Sequence, residues 1–267
     1  MALMTLSGLT TYPIKSAAGI ALSQARVTAR GLLHDRRWMV CDRDGTFLTQ
    51  RKFPKMALIR VAVDDALYLS ILGTDDNTLK LPLSSSDDAT DEITVDVWGD
   101  SCVARPMGQA ATQWLSDFLG VDCQLVYMPE STHRPADHGR FETPNSFSDA
   151  YPFLLISEAS LADLNERLEQ PVPMNRFRPN LVIKGCNAFA EDTWRQIKIG
   201  DIVFDVAKAC SRCSVPGVEQ TTGEQEKEPL KTLATYRRWD HAIWFGQNLI
   251  AQSEGTLNLG DTVEILA

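Results

Sequence analysis

The two cysteines best spaced to do chemistry together are Cys210 and Cys213, a C-x-x-C pair within residues 206–216. This spacing supplies half of a structural zinc site, but the chain has no second C-x-x-C, so ligand counting disfavours zinc. A dithiol redox pair usually stands where a strand turns into a helix, whereas Pro216 and Gly217 follow here almost at once. This is a modest argument against a redox pair, because Arg212 could still lower the pKa of a neighbouring thiol. Two further interpretations are that one thiolate binds a soft metal centre while the other packs in the barrel, and that both thiols are simply buried.

The other four cysteines stand singly among apolar neighbours, which is typical of small buried hydrophobic residues with free thiols. They are Cys41, Cys102, Cys123 and Cys186. The first twenty residues have no basic stretch ahead of an apolar core, so no signal peptide is predicted. An even cysteine count without such a signal is weak evidence for disulfides, and we predict a protein of the reducing cytoplasm.

Several basic residues precede or follow predicted strands in settings that suit anion binding. Lys15 and Ser16 follow a Tyr-Pro turn, and Arg36 comes just before an expected strand. Arg178 lies in the run Asn175–Asn180, which leads into another strand. A guanidinium at a strand end can point into a shared cleft and bind phosphate with two hydrogen bonds. The alternative for each residue is a solvated loop charge, and only the convergence of several would make an anion site.

The composition is that of a globular protein. A length of 267 residues predicts one large or two modest domains, and 44% hydrophobic with 23% charged residues excludes a disordered chain. No apolar run approaches the roughly 20 residues of a membrane span, so no membrane partner is expected. The net charge of −9 argues against nucleic-acid binding, and an anionic ligand therefore needs a local cluster of Arg and Lys.

Most of the first half of the chain is predicted to form short strands separated by turns. We expect strands at residues 3–9, 25–29, 38–41, 47–49, 57–63, 67–71, 78–81, 94–97 and 102–105. The run Asp42–Gly45 predicts the hairpin turn between the third and fourth of these. A helix is predicted over Gln109–Leu119, because its apolar residues fall on one face and Gly120 follows.

The second half predicts a β-barrel with packed helices. A strand at 153–156 leads into a helix capped by Ser157, and a further strand covers 180–184. Residues 197–203 and 257–263 share a strand, Gly-Asp turn, strand pattern, the kind of hairpin that closes small barrels.

The predicted fold class is therefore α+β, mostly β, in two parts. Residues 1–127 form a β-rich N-terminal part, and residues 153–267 form the barrel with its helices. Residues 128–152 show no sustained periodicity and hold four prolines, which indicates a connecting or ligand-facing loop.

Several motifs stand in the order and spacing of a known family. They are Tyr12–Ser16, Asp35–Trp38, Phe153–Asn165, Phe177–Asn180, Ala209–Cys213, Thr222-Gly223, Glu228–Leu233 and Phe245–Gln247. The sequence resembles MOSC-domain proteins that carry an N-terminal MOSC β-barrel domain. It is similar to the mitochondrial amidoxime-reducing components and to bacterial reductases of N-hydroxylated compounds. The likeness covers nearly the whole chain, and Ala-Cys-Ser-Arg-Cys with Phe-Arg-Pro-Asn upstream is a specific combination.

This resemblance implies a molybdenum–molybdopterin cofactor of the sulfite-oxidase type, with one protein cysteine as a sulfur ligand. By motif position Cys213 is that ligand and the catalytic metal site, whereas Cys210 packs in the barrel. Asn180 supports the same site. The family positions that hold the pterin and its phosphate correspond to Lys15, Ser16, Arg36, Arg178, Ser211 and Arg212.

The resemblance also implies reduction of a small N-oxygenated substrate such as an amidoxime, a hydroxylamine or an N-hydroxylated base. Bacterial relatives often carry a C-terminal iron–sulfur domain, but this chain stops at Ala267 and lacks the C-x₄-C-x₂-C spacing of such a cluster. The expected electron source is therefore a separate protein of the ferredoxin, flavoprotein or cytochrome type.

The sequence departs from the family pattern in two respects. An acidic Val-Asp-Pro-Asp-Thr-Gly run is replaced by Val218–Gly223, in which Glu219 is the one remaining carboxylate. Ala150 stands where relatives have a small hydroxyl residue, and Asn248 stands where they have an aromatic one. These changes are expected to alter substrate access more than cofactor binding.

Two other functions are kept open. In a sulfur carrier, Cys213 would bear a persulfide for metal–sulfur cofactor assembly, because MOSC domains also occur beside cysteine desulfurases. In a pterin-binding or storage module, the cysteine would be inert. The basic residues that face a phosphate favour a bound cofactor over bare persulfide transfer.

Overall fold

The computed structural model describes residues 3–74, 78–84, 92–136 and 143–267. The described chain consists mainly of short strands, which confirms the predicted α+β, mostly β fold class. In chain order the strands are β1 (Thr5–Thr11), β2 (Ile20–Ala21), β3 (Gln24–Thr28), β4 (Gly31–Leu32), β5 (Trp38–Cys41), β6 (Ile59–Val63), β7 (Leu67–Ile71), β8 (Leu79–Leu81), β9 (Ile93–Val97), β10 (Asp100–Pro106), β11 (Gln124–Tyr127), β12 (Phe153–Ser157), β13 (Leu181–Lys184), β14 (Gln196–Ile199), β15 (Ile202–Ser211), β16 (Arg238–Trp239), β17 (Ala242–Ala251), β18 (Gly255–Asn258) and β19 (Val263–Ile265).

The helices of the described residues are few and short. The α-helices are α1 (Gln109–Leu119), α2 (Glu158–Glu166) and α3 (Leu230–Tyr236). Single 3₁₀ turns cover Pro54–Leu58, Met174–Arg176, Ala190–Thr193 and Val215–Gly217. None of these helices is long and apolar enough to cross a membrane.

The largest sheet joins both ends of the chain. Its strand order is β19-β14-β15-β17-β12-β13-β1-β2, with β16 added as a hairpin partner of β17. Strand β1 pairs antiparallel with β13, so an N-terminal strand completes the sheet that residues 153–265 build. Leu6 and Leu9 of β1 are buried in the same core as Leu155, Leu181 and Phe204. The division at residues 127 and 152 stays a prediction, and β1 lies across it.

A second body of strands and one helix forms around residues 38–127. One sheet has the order β5-β11-β10-β9, and another has the order β6-β7-β8. Helix α1 has the predicted bounds and buries Ala111 and Leu115 in a core shared with Trp38 and Leu125. It ends at Gly120, whose left-handed backbone (φ 72°) suits glycine, as the sequence predicts.

The helix cap expected at Ser157 is also confirmed. The Ser157 hydroxyl accepts a hydrogen bond from the Ser160 backbone N–H at 3.0 Å, which satisfies one of the free amides at the start of α2. The cap matters for the site because β12, which leads into α2, borders the cavity described below.

Two predicted elements differ in the structure. The first is the strand expected at residues 47–49: Phe47 makes only an isolated bridge to Cys41, and the chain then turns, with Phe53 N–H donating to Thr49 O at 2.9 Å. The predicted Asp42–Gly45 turn beside it is present, with a 3.2 Å hydrogen bond from Gly45 N–H to Asp42 O.

The second is the Gly-Asp hairpin predicted at 257–263, and that prediction is wrong. Strand β18 pairs with β3 and strand β19 with β14, so the two strands leave in different directions. They do so because β1 holds the turn between them. Gly260 N–H donates to Leu6 O at 2.8 Å, and Leu6 N–H donates to Asp261 O at 2.9 Å.

Candidate functional site

All eight residues predicted for the site line one cavity of about 320 Å³, which we call the inner cavity. It lies where the end of β15 meets the loops after β1, after β4 and before β13, and its rim includes residues 148–151. The predicted residues that line it are Lys15, Ser16, Arg36, Arg178, Asn180, Ser211, Arg212 and Cys213.

Arg36 and Arg178 are positioned by a shared aromatic ring. Their guanidinium carbons lie 4.4 Å and 4.3 Å from the ring centroid of Tyr12, which is a cation–π contact for each. The Tyr12 hydroxyl donates to Pro179 O at 3.2 Å, so the ring itself is fixed. Burial lowers the pKa of Arg178 to about 10, with Arg36 acting in the same direction, and the group therefore stays charged at neutral pH.

Asn180 links Arg36 to Asp35 and to the backbone of β12. Its side-chain oxygen accepts from Arg36 Nη1 at 3.0 Å and from the Leu154 backbone N–H at 3.2 Å. Its Nδ2 donates to Asp35 Oδ1 at 3.0 Å, and Asp35 also forms an ion pair with Arg36. Asn180 is therefore a positioning residue for Arg36, and it also lines the inner cavity.

Four residues of the cavity have a backbone that non-glycine residues rarely adopt, and Trp98, with a φ of 61°, is one of them. The other three, Ser16, Arg36 and Arg178, have φ angles of 70°, 48° and 58°. Each such residue costs on the order of 1–3 kcal/mol and persists only where the surrounding structure imposes it. Their concentration around one cavity is typical of a functional site.

Lys15 lies on the other side of the inner cavity. Its ammonium donates to Phe147 O at 2.7 Å and forms an ion pair with Asp149. Burial lowers the pKa of Lys15, against the attraction of Asp149. Burial also opposes ionisation of Asp149, but the Lys15 ammonium and the Trp98 indole together hold the Asp149 pKa below its usual range.

The C-x-x-C segment begins at the end of β15. Arg212 Nη2 donates to Phe177 O at 2.7 Å, which joins this segment to the loop that carries Arg178. Arg212 Nη1 lies 3.1 Å from Cys210 Sγ. Cys210 lies in β15 and is half-buried, but it also lines the inner cavity beside this guanidinium, so its thiol is not enclosed in the barrel interior as predicted. Cys213 is also half-buried and lines the same cavity.

The inner cavity suits an anionic group. Asp149 is the one carboxylate among its described lining residues, against the cations Lys15, Arg36, Arg51, Arg178 and Arg212. Arg178 Nη2 and Arg212 Nε are buried and have no hydrogen-bond partner among the described residues. Buried donors left unpaired are costly, so an anion that accepts from them would stabilise the folded protein.

Within the described ranges, no group of three His, Cys, Asp or Glu side chains is placed to hold a bare metal ion. The zinc alternative therefore finds no ligand set there. His133 and His138 have an H-x₄-H spacing, but His138 lies outside the described residues. A metal at Cys213 would need further ligands from a cofactor, which fits an anionic organic group in this cavity.

The cavity also contains residues that sequence analysis did not assign to the site. Arg51, Trp98 and Asp149 line it, and the guanidinium of Arg51 lies 4.3 Å from the Trp98 ring centroid. Trp98 stands in the turn between β9 and β10, a Trp-Gly turn that the sequence marks only as a turn. Conversely, Arg37 and Arg176 point elsewhere, to Glu130 and Glu226.

The residues that depart from the family pattern have different positions. Ala150 and Asn248 both line the inner cavity. Glu219 does not; its carboxylate accepts from the backbone N–H groups of Thr221 and Thr222, which closes a local turn. The adjacent Gln220 bonds to Gln50, whose Nε2 donates to Ser16 O at 2.7 Å, so this loop supports the cavity from outside.

Comparisons with known proteins agree with this geometry. Residues 3–122 match the family model described as the MOSC N-terminal beta barrel domain, and residues 142–264 match that of the MOSC domain. The human mitochondrial amidoxime-reducing component 1 is 39% identical, over 98% of this chain and 83% of that protein. The mitochondrial amidoxime reducing component 2 of Bos taurus is 37% identical, over 97% and 82%. The molybdenum cofactor sulfurase of Arabidopsis thaliana is 35% identical, over 90% of this chain and 32% of that protein.

Proposed function

Because the chain belongs to the MOSC-domain family that includes the mitochondrial amidoxime-reducing components, we propose that it is a molybdenum-cofactor-dependent reductase of N-hydroxylated compounds. The relatives by themselves support a function related to the molybdenum cofactor. The observation that carries the finer proposal is the cationic inner cavity, where Cys213 lies beside arginines with unpaired buried donors.

In this proposal the chain's cations hold the cofactor and its cysteine holds the metal. Lys15, Arg36, Arg178 and Arg212 would bind the phosphate and pterin, with Ser16 and Ser211 as further donors. Cys213 would supply a thiolate to molybdenum, in the cofactor form known from sulfite oxidase.

When bound, the cofactor would supply two electrons for cleavage of an N–O bond. The substrate N–OH group takes up two electrons and two protons and leaves as N–H and water. The protein would orient that group at the mouth of the inner cavity and hold the cations that line the cavity in fixed positions. We propose that the electrons come from a separate donor protein and that the enzyme acts in the cytoplasm.

Metal analysis of purified protein tests the proposal. From a molybdate-fed host that makes the cofactor, the wild-type chain should contain near-stoichiometric molybdenum, and Cys213→Ala should lose it. Cys186→Ala is the matched control, because Cys186 is also half-buried but does not line the inner cavity. This control should keep its molybdenum.

The same samples decide between the reductase and the sulfur carrier. Protein that stays free of molybdenum but carries a cyanolysable sulfur on Cys213 would establish the carrier and exclude the reductase. Metal-replete protein, once reduced, should be reoxidised by a hydroxylamine or an amidoxime. If no N-oxygenated compound reoxidises it, the proposed reaction is wrong although the cofactor assignment stands.

A further inference from the structure

A second cavity of about 420 Å³ adjoins the inner one, and we call it the outer cavity. The proposed function does not assign it a ligand. It shares its boundary with the inner cavity at Arg51, Trp98, Asp149 and Ala150. Its other described lining residues are Asp100, Arg134, Pro135 and Ala136.

Asp100 and Asp149 of the outer cavity are exposed and each is paired with a buried cation, whereas Arg51, the other cation near Asp149, is 30% exposed. Arg134 Nε donates to Asp100 Oδ2 at 3.0 Å, and the two side chains are 3% and 49% exposed. In the Lys15–Asp149 pair the exposed fractions are 5% and 58%. A ligand that arrives from solvent therefore meets the carboxylates of Asp100 and Asp149 together with the Arg51 guanidinium, ahead of the cationic inner cavity.

Each carboxylate has one oxygen that accepts no hydrogen bond from the described residues, and that of Asp149 lies 3.9 Å from Arg51 Nη2. Lys15 and the Trp98 indole N–H both donate to Oδ1 of Asp149, the latter at 3.0 Å. Within the described part of the chain, Oδ2 of Asp149 and Oδ1 of Asp100 accept no hydrogen bond. Planar groups with several N–H donors are the natural partners of such oxygens.

Trp98 supplies an aromatic surface that is held under strain. Its side chain is 47% exposed, and its φ angle of 61° lies in the left-handed region, which is unusual for a bulky residue. Phe47 packs against the indole with ring centroids 4.8 Å apart. Such a backbone angle persists only where the surrounding structure imposes it, so the fold holds the indole at the boundary of the two cavities.

Two aromatic rings at or beside these cavities already contact planar guanidinium groups of the protein. Arg51 lies over the Trp98 ring, and the Tyr12 ring carries two guanidinium groups at once, those of Arg36 and Arg178. Trp98 carries one and is half exposed, so it has surface for a second cation.

We propose that the outer cavity is a binding subsite for planar organic cations of the amidinium and guanidinium type. Such a cation stacks on Trp98 and donates hydrogen bonds to Asp149 and Asp100. The biological use of the subsite rests on the proposed function: reduction of an amidoxime or an N-hydroxyguanidine releases an amidinium or guanidinium beside the inner cavity. The subsite therefore retains this class of product.

Calorimetric titration of the full chain, loaded with cofactor and without it, tests the subsite. The probe is benzamidinium, and benzamide is its neutral isostere. Benzamidinium should bind at neutral pH, with an affinity that falls as salt is added. Benzamide should bind at least about tenfold more weakly, because it lacks the charge that strengthens each hydrogen bond.

Two variants with matched controls locate the binding. Trp98→Leu and Asp149→Asn should each weaken benzamidinium binding by about tenfold. Trp239→Leu removes another exposed tryptophan, 42% exposed, and Asp65→Asn removes another carboxylate paired with a lysine, Lys80 at 3.0 Å. Both controls lie outside the two cavities and should bind benzamidinium as the wild type does.

Equal affinity for benzamide and benzamidinium overturns the proposal, as does unchanged binding in both Trp98→Leu and Asp149→Asn. If these variants do not fold, the comparison of the two probes and the salt dependence in the wild type still decide. Binding without any N–OH reduction would leave the subsite and reject the proposed function. Reduction of an N–OH compound without benzamidinium binding would reject the subsite and leave the proposed function standing.

Discussion

Arg178 and Arg212 of the inner cavity are held by contacts that leave one buried nitrogen of each guanidinium unpaired among the described residues. Arg178 Nη1 donates to Ala17 O at 2.6 Å, whereas Nη2 is buried without a partner among the described residues. Such a donor costs roughly 1–3 kcal/mol of folding free energy, which an anionic ligand would recover. Cofactor binding at these residues would therefore also raise the free energy of unfolding of the protein.

Replacement of Arg178 by Met should separate cofactor binding from folding. Arg178→Met keeps much of the side-chain volume but removes a charge-assisted donor, so retention of molybdenum and of organic phosphate should fall by about tenfold or more. The measurement is metal and phosphate content per folded molecule.

Arg237→Met is the matched control for this variant. Arg237 is also a buried guanidinium over an aromatic ring, 4.2 Å from the Phe189 centroid, but it pairs with Asp192 away from the inner cavity. This variant should lose stability and keep its cofactor. Equal loss of cofactor in both variants would contradict the role of Arg178.

The Lys15–Asp149 pair predicts a pH dependence of stability. The folded-state pKa of Asp149 is below its unfolded value, so the pair's contribution is fully present above about pH 4 and is lost as the pH falls further. In thermal unfolding, the Tm difference between wild type and Asp149→Asn should be largest near neutral pH and should shrink below about pH 4. A Tm difference that stays constant down to the lowest pH would refute this assignment.

Among the elements, β17 joins two strands that border the inner cavity. It pairs with β15, which ends at Ser211, and with β12, which borders the cavity through Leu154. Within β17, Gly246 has a φ of 85°, and a Cβ there would lie 2.7 Å from Ile156 Cγ1 and 2.8 Å from Leu155 O. The close approach of β12 and β17 therefore requires glycine.

Gly246→Ala should destabilise the protein more than the backbone angle alone explains. Gly73→Ala is the matched control, since Gly73 has nearly the same φ of 84° and a Cβ there would have no neighbouring atom within 4 Å. Urea unfolding should show a loss of about 1 kcal/mol for Gly73→Ala and at least about 2 kcal/mol more for Gly246→Ala. Equal losses would mean that β12 shifts freely to accept the methyl group.

Across the molecule, the two ends of the chain form one sheet. Strand β1 pairs with β13 and β19 pairs with β14 in the largest sheet, and β18 pairs with β3 in a separate three-stranded sheet. The loop after β1 carries Lys15 and Ser16, and the segment after β15 carries Cys213. The site therefore depends on contacts between residues about 200 positions apart in the sequence.

This topology predicts that the C-terminal part does not fold alone. A fragment of residues 143–267 lacks β1, so the edge of β13 is unpaired and the core lacks Leu6 and Leu9. The fragment should aggregate or give poorly dispersed NMR spectra. The same fragment joined by a flexible linker to residues 3–33, which supply β1 to β4, should give a dispersed spectrum. A folded fragment without residues 3–33 would show that the sheet does not need β1.

Local patterns were enough to predict the elements whose determinants lie within a few residues. Helix α1 has its predicted bounds because its apolar face and Gly120 are local signals, and the Ser157 cap is local for the same reason. The second Gly-Asp hairpin failed because its turn is held by β1, which is distant in sequence.

Motif order and residue type were sufficient to predict the family, the mostly β fold class and the residues expected at one site. The folded chain was needed to show that those residues converge, that Cys210 lies in the cavity wall, and that Trp98 and Asp149 join them. This division arises because a cavity is made by side chains from separate strands and loops. Their directions depend on sheet register and on backbone angles, such as the positive φ of Arg36 and Trp98, that no local pattern specifies.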